Sequence, residues 1–183
     1  MKIACIVLAS GKSTRFGKSR SKLIYKVYGL PIIEYTLKNI SKYINKKSIY
    51  ITISKKLTKK DNKLISKYST NQLIYGGKSR VESLKKAFFV VEKTKYDYVV
   101  IHDAARPNTT DKIFKSLLRH LKTNKYDCVI PSSKVEDTLR RKNKTIDRSK
   151  YLTFQTPQVF KFKIFRDNLK KLKHMPTDDL GVI

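Results

Sequence analysis

A chain of 183 residues is long enough to bury one sizeable core and short enough to form one domain. Its 42 Lys and Arg against 14 Asp and Glu leave a formal charge of +28, which favours anionic partners and excludes an acidic, solvating chain. Only nine of the basic residues are Arg, and the lysines run through the whole chain among Ile, Asn and Tyr, so the charge reads as a compositional bias more than as a nucleic-acid footprint.

The opening "MKIACIVLASG" has seven apolar residues in a row and then Ser-Gly with basic residues beyond. That run is too short to cross a bilayer and wrongly flanked for a secretory signal, so a cytoplasmic protein is expected. Residues 3–8 read as a fully buried strand, continuous in its apolarity as a parallel sheet requires. Residues 31–44 put Ile33, Leu37, Ile40 and Ile44 on one helical face, with Pro31 near the start where its missing N–H costs nothing. "SIYITIS" (48–54) is the next strand, followed by a weak helix over 58–67 and a third strand, "QLIY" (72–75). A helix from about Val81 turns Leu84, Phe88 and Val91 inward. "YVVIH" (98–102) is the fourth strand, and Thr110 caps a helix carrying Ile113, Phe114, Leu117, Leu118 and Leu121.

"DCVIP" (127–131) makes a fifth strand and "KFKIFRDNLKKLK" (161–173) a last helix. Between them, 132–153 is polar, basic and without helical period, which fits a hairpin or arm leaving the main sheet. The alternation of strands and helices predicts an α/β fold with a doubly wound, mostly parallel sheet and a protruding β-arm, all in one domain. Cys5 and Cys128 each lie inside an apolar run and read as buried reduced thiols, in preference to a disulfide or a metal pair.

Sheets of this kind bind ligands beyond the carboxyl ends of their strands, and the polar clusters fall there. In "LASGKSTRFGKSRSK" (8–22), small residues at Ala9, Ser10, Gly11 and Ser13 let backbone N–H groups close around phosphates, and Arg15 and Lys22 add charge. The spacing matches neither the Walker pattern nor G-x-G-x-x-G, and a solvated turn is an equal reading of this loop alone. "GGKSRVES" (76–83) is either a tight turn or a close approach in which the Gly77 backbone and the Ser83 hydroxyl read a base edge. In "VVIHDAARPNTT" (99–110), Asp103 can hold Mg²⁺ against phosphates. Ala104 and Ala105 leave room for a ribose, and Arg106 offers a fork to a phosphate or sugar on a loop stiffened by Pro107. The competing reading of that segment is a structural Asp103–Arg106 pair closing a turn.

Together, "LASGKSTRFG…SK", "GGKSRVES", "HDAARP", "EDT", "DRSKYLTFQTPQVF" and "TDD" resemble, in this order, the 2-C-methyl-D-erythritol 4-phosphate cytidylyltransferases of isoprenoid biosynthesis. The resemblance spans essentially the whole chain and implies a Rossmann-like nucleotidyltransferase fold. It also implies transfer of a cytidylyl group from CTP to methylerythritol phosphate, giving the CDP-alcohol and pyrophosphate. By the same resemblance, Arg15 and Lys22 are the catalytic cations, and Ala9, Ser10, Gly11 and Ser13 belong to the nucleotide-phosphate loop. Gly77 and Ser83 match cytosine contacts, and Ala104 and Ala105 match residues along the nucleoside. Asp103 matches the acid near Mg²⁺ and substrate. Arg106 and Thr177 match substrate contacts, as do Thr138 and Arg148 offered from a partner subunit's arm in a homodimer.

A phosphate monoester with a second pKa near 6 is already a nucleophile at neutral pH, so no placed base is expected and His102 reads as a strand-end structural residue. Ser13 stands where the family commonly has a second Gly, and Ser21 where Pro usually precedes the catalytic Lys. The chain stops at "PTDDLGVI", where relatives continue through a last strand and helix with another substrate-binding Lys, so a C-terminally shortened piece, weak or inactive, is expected. Such a piece is compatible with the front of a longer, even bifunctional, polypeptide, and whether a second catalytic domain follows is left open by the sequence. A ribitol 5-phosphate cytidylyltransferase is the alternative enzyme, against which Ala105 leans. A basic nucleic-acid-binding module without turnover is the alternative from another class.

Overall fold

The computed structural model describes residues 1–11, 13, 21–123, 125–172 and 179–182. A six-stranded sheet forms its centre. The strands are β1 (Ile3–Ala9), β4 (Ile49–Ile53), β5 (Ile74–Tyr75), β6 (Tyr98–Asp103), β7 (Cys128–Val129) and β12 (Gln158–Lys161), in the spatial order β5-β4-β1-β6-β12-β7. β5, β4, β1 and β6 are parallel, and β12 runs antiparallel to both of its neighbours.

Alternation along β1 explains the two-sided core. Cys5, Val7 and Ala9 face one layer, with α1 (Ile32–Ser41), α2 (Lys59–Ser66) and α4 (Asp111–Lys122) covering it. Ala4, Ile6 and Leu8 face the other, under α3 (Arg80–Val91) and α5 (Phe162–Lys171). On that second face Phe160 of β12 and Phe165 of α5 meet at 4.7 Å between ring centroids, and Phe88 of α3 stacks on Phe162 at 5.1 Å. The aromatic cluster thus welds both helices to the odd strand. Cys5 and Cys128 are free thiols. No helix among the described residues is long and apolar enough to cross a membrane.

The α/β architecture, the helices and the doubly wound sheet agree with expectation; three details differ. The expected helix over 31–44 ends at Ser41, and Ile44 packs into the core from beyond the helix end. Pro31 belongs instead to a small hairpin of β2 (Lys26–Val27) and β3 (Leu30–Pro31), turned by Tyr28 and Gly29 at φ 48° and 83°. Positive φ at both turn residues matches the twist of a two-residue hairpin. The expected strand over 127–131 shrinks to two residues at the sheet edge, because β12, read only as part of a motif, takes the place beside β6.

The expected arm is a two-tier ribbon. β8 (Ser132–Lys134) pairs with β11 (Leu152–Phe154) near its root, and β9 (Leu139–Arg141) pairs with β10 (Lys144–Ile146) at its tip. The amide of Gln155 donates to the Pro131 carbonyl at 2.9 Å and closes the base. Both roots stand at the end of the sheet where β1 and β6 finish.

Candidate active site

β1 and β6 are neighbours whose chains lead away to opposite flanks of the sheet, β1 to β4 and β6 to β7, and ligands of such sheets bind beyond the carboxyl ends at that switch point. A cavity of about 520 Å³ lies there, lined by Ser10, Gly11, Ser13 and Lys22 after β1, by Gly77–Arg80 and Ser83 after β5, and by Asp103, Ala105 and Arg106 after β6. Three loops far apart in sequence therefore share one wall.

Small hydroxyls join the first two loops. The Ala9 amide donates to Thr52 Oγ1 at 3.2 Å, Thr52 donates to Ser10 Oγ at 3.3 Å, and Ser10 donates to Ser83 Oγ at 2.8 Å. Ser83 in turn donates to the Ser79 carbonyl at 2.8 Å and accepts from the Gly77 amide at 2.9 Å. The expected base-reading hydroxyl is thus also the peg that shapes the Gly77 loop. A Cβ on Gly76 would collide with the Ser10 side chain, so glycine there is demanded by close approach.

Lys22 opens a short 3-10 turn capped by the buried Ser21, whose φ of −68° is one that proline would also adopt. Its amide donates to Ser13 Oγ at 3.3 Å. Ser13 sits at φ 52°, which explains why a glycine suits this position. Lys22 has no acidic partner among the described residues, and its charge is left for a ligand.

The loop after β6 is clamped from below. Thr36 of α1 donates to the Ala104 carbonyl at 2.9 Å, and Asn39 donates to the carbonyls of Pro107 and Thr109 at 3.1 and 3.3 Å. Asp103 uses both oxygens. Arg80 gives Nε and Nη2 to Oδ1 at 3.2 and 3.0 Å, and Arg106 gives Nε to Oδ2 at 3.1 Å. The third Arg80 nitrogen, Nη1, meets Asp179, which is fully buried. The turn-closing Asp103–Arg106 pair foreseen as a competing reading is therefore present, inside a larger ion network. Burial alone would raise the Asp103 pKa, but the two guanidinium groups outweigh it and hold the carboxyl below its ordinary value. For Arg80, burial works against the charge, and Asp179 and Asp103 overcome it and raise its pKa.

His102 is buried beneath this loop, and burial pushes its pKa down to about 4 against the opposing pull of Asp103. Its Nδ1 lies 2.9 Å from Thr156 Oγ1 and its Nε2 3.3 Å from Thr109 Oγ1. The Asp103 amide donates to Thr156 at 3.1 Å, and Thr109 donates to the Arg106 carbonyl at 3.4 Å. One donor order satisfies every group: Thr156 donates to Nδ1, and the Nε2 proton goes to Thr109. A neutral, fully engaged imidazole is a bracket, as expected for a structural residue.

The expected residues Ser10, Gly11, Ser13, Lys22, Gly77, Ser83, Asp103, Ala105 and Arg106 meet in the one cavity. Ala9 and Ala104 are buried behind it. Thr138 and Arg148 are exposed on the arm, where Arg148 bonds the Glu136 carbonyl, and they do not line the cavity of their own chain. Arg15 and Thr177 lie outside the described residues.

Sequence reasoning missed Arg80, Thr52, Gln155, Thr156 and Asp179. One signal for Arg80 was there to read: a cation in the first turn of a helix opposes the helix dipole and so implies a specific acidic partner.

Residues 3–183 match the family model "IspD: 2-C-methyl-D-erythritol 4-phosphate cytidylyltransferase". The 2-C-methyl-D-erythritol 4-phosphate cytidylyltransferase of Dictyoglomus thermophilum is 33% identical over all of this chain and 83% of its own length. The bifunctional enzyme IspD/IspF of Campylobacter jejuni is 32% identical over 98% of this chain, which spans 46% of that protein. The structure of bifunctional IspDF from Campylobacter jejuni superposes with a TM-score of 0.81 at 32% identity, covering 100% of this chain and 46% of that one. The chain spans about half the length of such bifunctional relatives. Loops, fold and match agree, and the chain belongs to the 2-C-methyl-D-erythritol 4-phosphate cytidylyltransferase family.

Proposed function

We propose that this chain transfers a cytidylyl group from CTP to 2-C-methyl-D-erythritol 4-phosphate, releasing pyrophosphate, and that the cavity beyond β1 and β6 is where it does so. The observation that carries the reading is the convergence there of Lys22, Arg106 and a single carboxylate, Asp103, with two small-residue loops.

The reaction forms a bond from a phosphate oxygen of the alcohol phosphate to the α-phosphorus of CTP and breaks the bond to the β-phosphate oxygen. Pyrophosphate leaves with the electron pair. The nucleophile is already ionised, so the chemical problem is the meeting of two anions. Lys22 meets the charge that builds at the α-phosphate, with Arg15 assigned the same task by its match in sequence. The Gly77 and Ser83 loop receives the base, and Arg106 receives the alcohol phosphate. His102 takes no part in proton transfer, because its nitrogens are both engaged and buried.

Mg²⁺ is part of the proposal. Among the described residues no group of three His, Cys, Asp or Glu could hold a metal ion, and Asp103 is the only one of their carboxylates on the cavity wall. That donor set fits a cation carried on the nucleotide's phosphates, with Asp103 as its one protein oxygen. Bound there, the ion would neutralise triphosphate charge. A homodimer is proposed on the exposed arm, where Tyr151, Leu152 and Phe154 show apolar surface and Thr138 and Arg148 stand free of their own chain's cavity.

The test is pyrophosphate release from CTP plus methylerythritol phosphate with Mg²⁺. Lys22→Ala is expected to lower kcat by about 10²–10³, the usual effect of removing one fixed charge-stabilising donor. Equal rates for wild type and variant would refute the mechanism. Faster turnover of ribitol 5-phosphate in a side-by-side assay would reassign the substrate.

A further inference from the structure

We infer that Arg80 is a positioning residue for the alcohol phosphate: anchored on buried Asp179, it sets the plane of Asp103 and through it the direction of Arg106. This deepens the proposed cytidylyl transfer and rests on it.

The geometry forms a chain of forks. Asp179, with no exposed surface, holds Arg80 Nη1. The other two nitrogens of Arg80 close on one oxygen of Asp103 at 3.2 and 3.0 Å, which leaves the second oxygen facing Arg106 Nε at 3.1 Å. Arg106 Nη1 meets Gln155 at the root of the arm. A carboxylate gripped on both oxygens by planar groups has no freedom to rotate. Arg106 therefore presents its remaining donor edge in one direction, toward the space where a phosphate would sit. The Asp103 side chain is 29% exposed and that of Arg80 31%, so water competes only in part for these bonds.

The pairing also joins, at the rim of the cavity, three parts of the chain that are far apart in sequence. Arg80 opens α3, Asp103 ends β6, and Asp179 lies 99 residues beyond Arg80. Asp179 does not line the cavity, and its bond to Arg80, which does, gives it a route to the substrate. Lysine cannot replace Arg80, because a single ammonium cannot engage two carboxylates in a fixed plane.

Arg80→Lys and the nearly isosteric Asp179→Asn are the variants, each first checked by thermal melting. Asp179→Asn carries the test if Arg80→Lys does not fold. Kd for CTP and for methylerythritol phosphate is measured by calorimetry, and KM and kcat by pyrophosphate release. The expected result is a KM for the alcohol phosphate raised at least about tenfold, with the Kd for CTP within about threefold of wild type. The double variant is expected to be no worse than the more impaired single one, since both act through one linkage. A folded variant whose alcohol-phosphate KM stays within about twofold of wild type overturns the inference, as does equal weakening of both substrates. If wild type binds neither substrate, the proposed function itself fails, whatever the variants do.

Discussion

Ser13 occupies the left-handed region at φ 52° and at the same time accepts the Lys22 amide through its hydroxyl. Two opposing effects meet in one side chain. The strained backbone costs about 1–2 kcal/mol for a residue with a Cβ, and the hydrogen bond returns about 1 kcal/mol. Ser13→Gly is accordingly expected to shift stability by less than about 1 kcal/mol in urea unfolding, whereas a β-branched Ser13→Val should cost clearly more than Ser13→Gly. Equal losses for the two would show that the backbone conformation is not what constrains the site.

His102 sets a second limit, this time on acid tolerance. Its folded pKa of about 4 lies below the ordinary value of 6.5, so the unfolded chain binds the extra proton first. The stability it contributes is complete above pH 6.5 and is lost as pH falls toward 4, roughly 3 kcal/mol in all. His102→Gln should flatten the stability profile across that window while lowering its neutral plateau. An unchanged slope would mean that other groups carry the acid sensitivity.

At the scale of elements, the loop between β5 and α3 is held by contact as much as by hydrogen bonds. Gly76→Ala would drive a methyl group into Ser10 and separate Ser10 from Ser83. The expected outcome is a loss of about 1–3 kcal/mol in stability and at least tenfold weaker CTP binding by calorimetry. Normal CTP affinity would show that the joined loops are not the base-binding wall.

The elements themselves were unevenly legible. Long amphipathic helices and the continuous apolar strands declared themselves through period and, at α4, through the Thr110 cap, whereas the Ser79 cap that starts α3 at Arg80 was not read. β12 did not, because four residues are too few to display a period and the neighbouring arm obscured the return to the sheet. The hairpin of β2 and β3 was equally hidden, since its two-residue strands have no pattern, though the Tyr-Gly pair at its turn was a usable sign.

For the molecule as a whole, the site was legible where it was local. Each cluster sits directly after a strand, and a doubly wound sheet gathers those ends without further information. What could not be read is what depends on distant partners. Nothing near Arg80 in sequence announces Asp179, and nothing in "YITI" marks Thr52 as the link between two loops. The overall charge of +28 was a poor guide by comparison, since among the described residues only four of the 42 cations, Lys22, Lys78, Arg80 and Arg106, line the cavity.

The direction of β12 has a consequence for how such a protein can change. Because that strand enters the sheet from the same end at which β7 leaves it, the chain departs and returns through one doorway, closed by the Gln155–Pro131 contact. Everything outside the doorway can lengthen, shorten or be exchanged for another shape, at little more than the modest entropy of a longer loop. The body of the domain stays as it was, while an appendage of any design is delivered to the threshold of the reaction chamber.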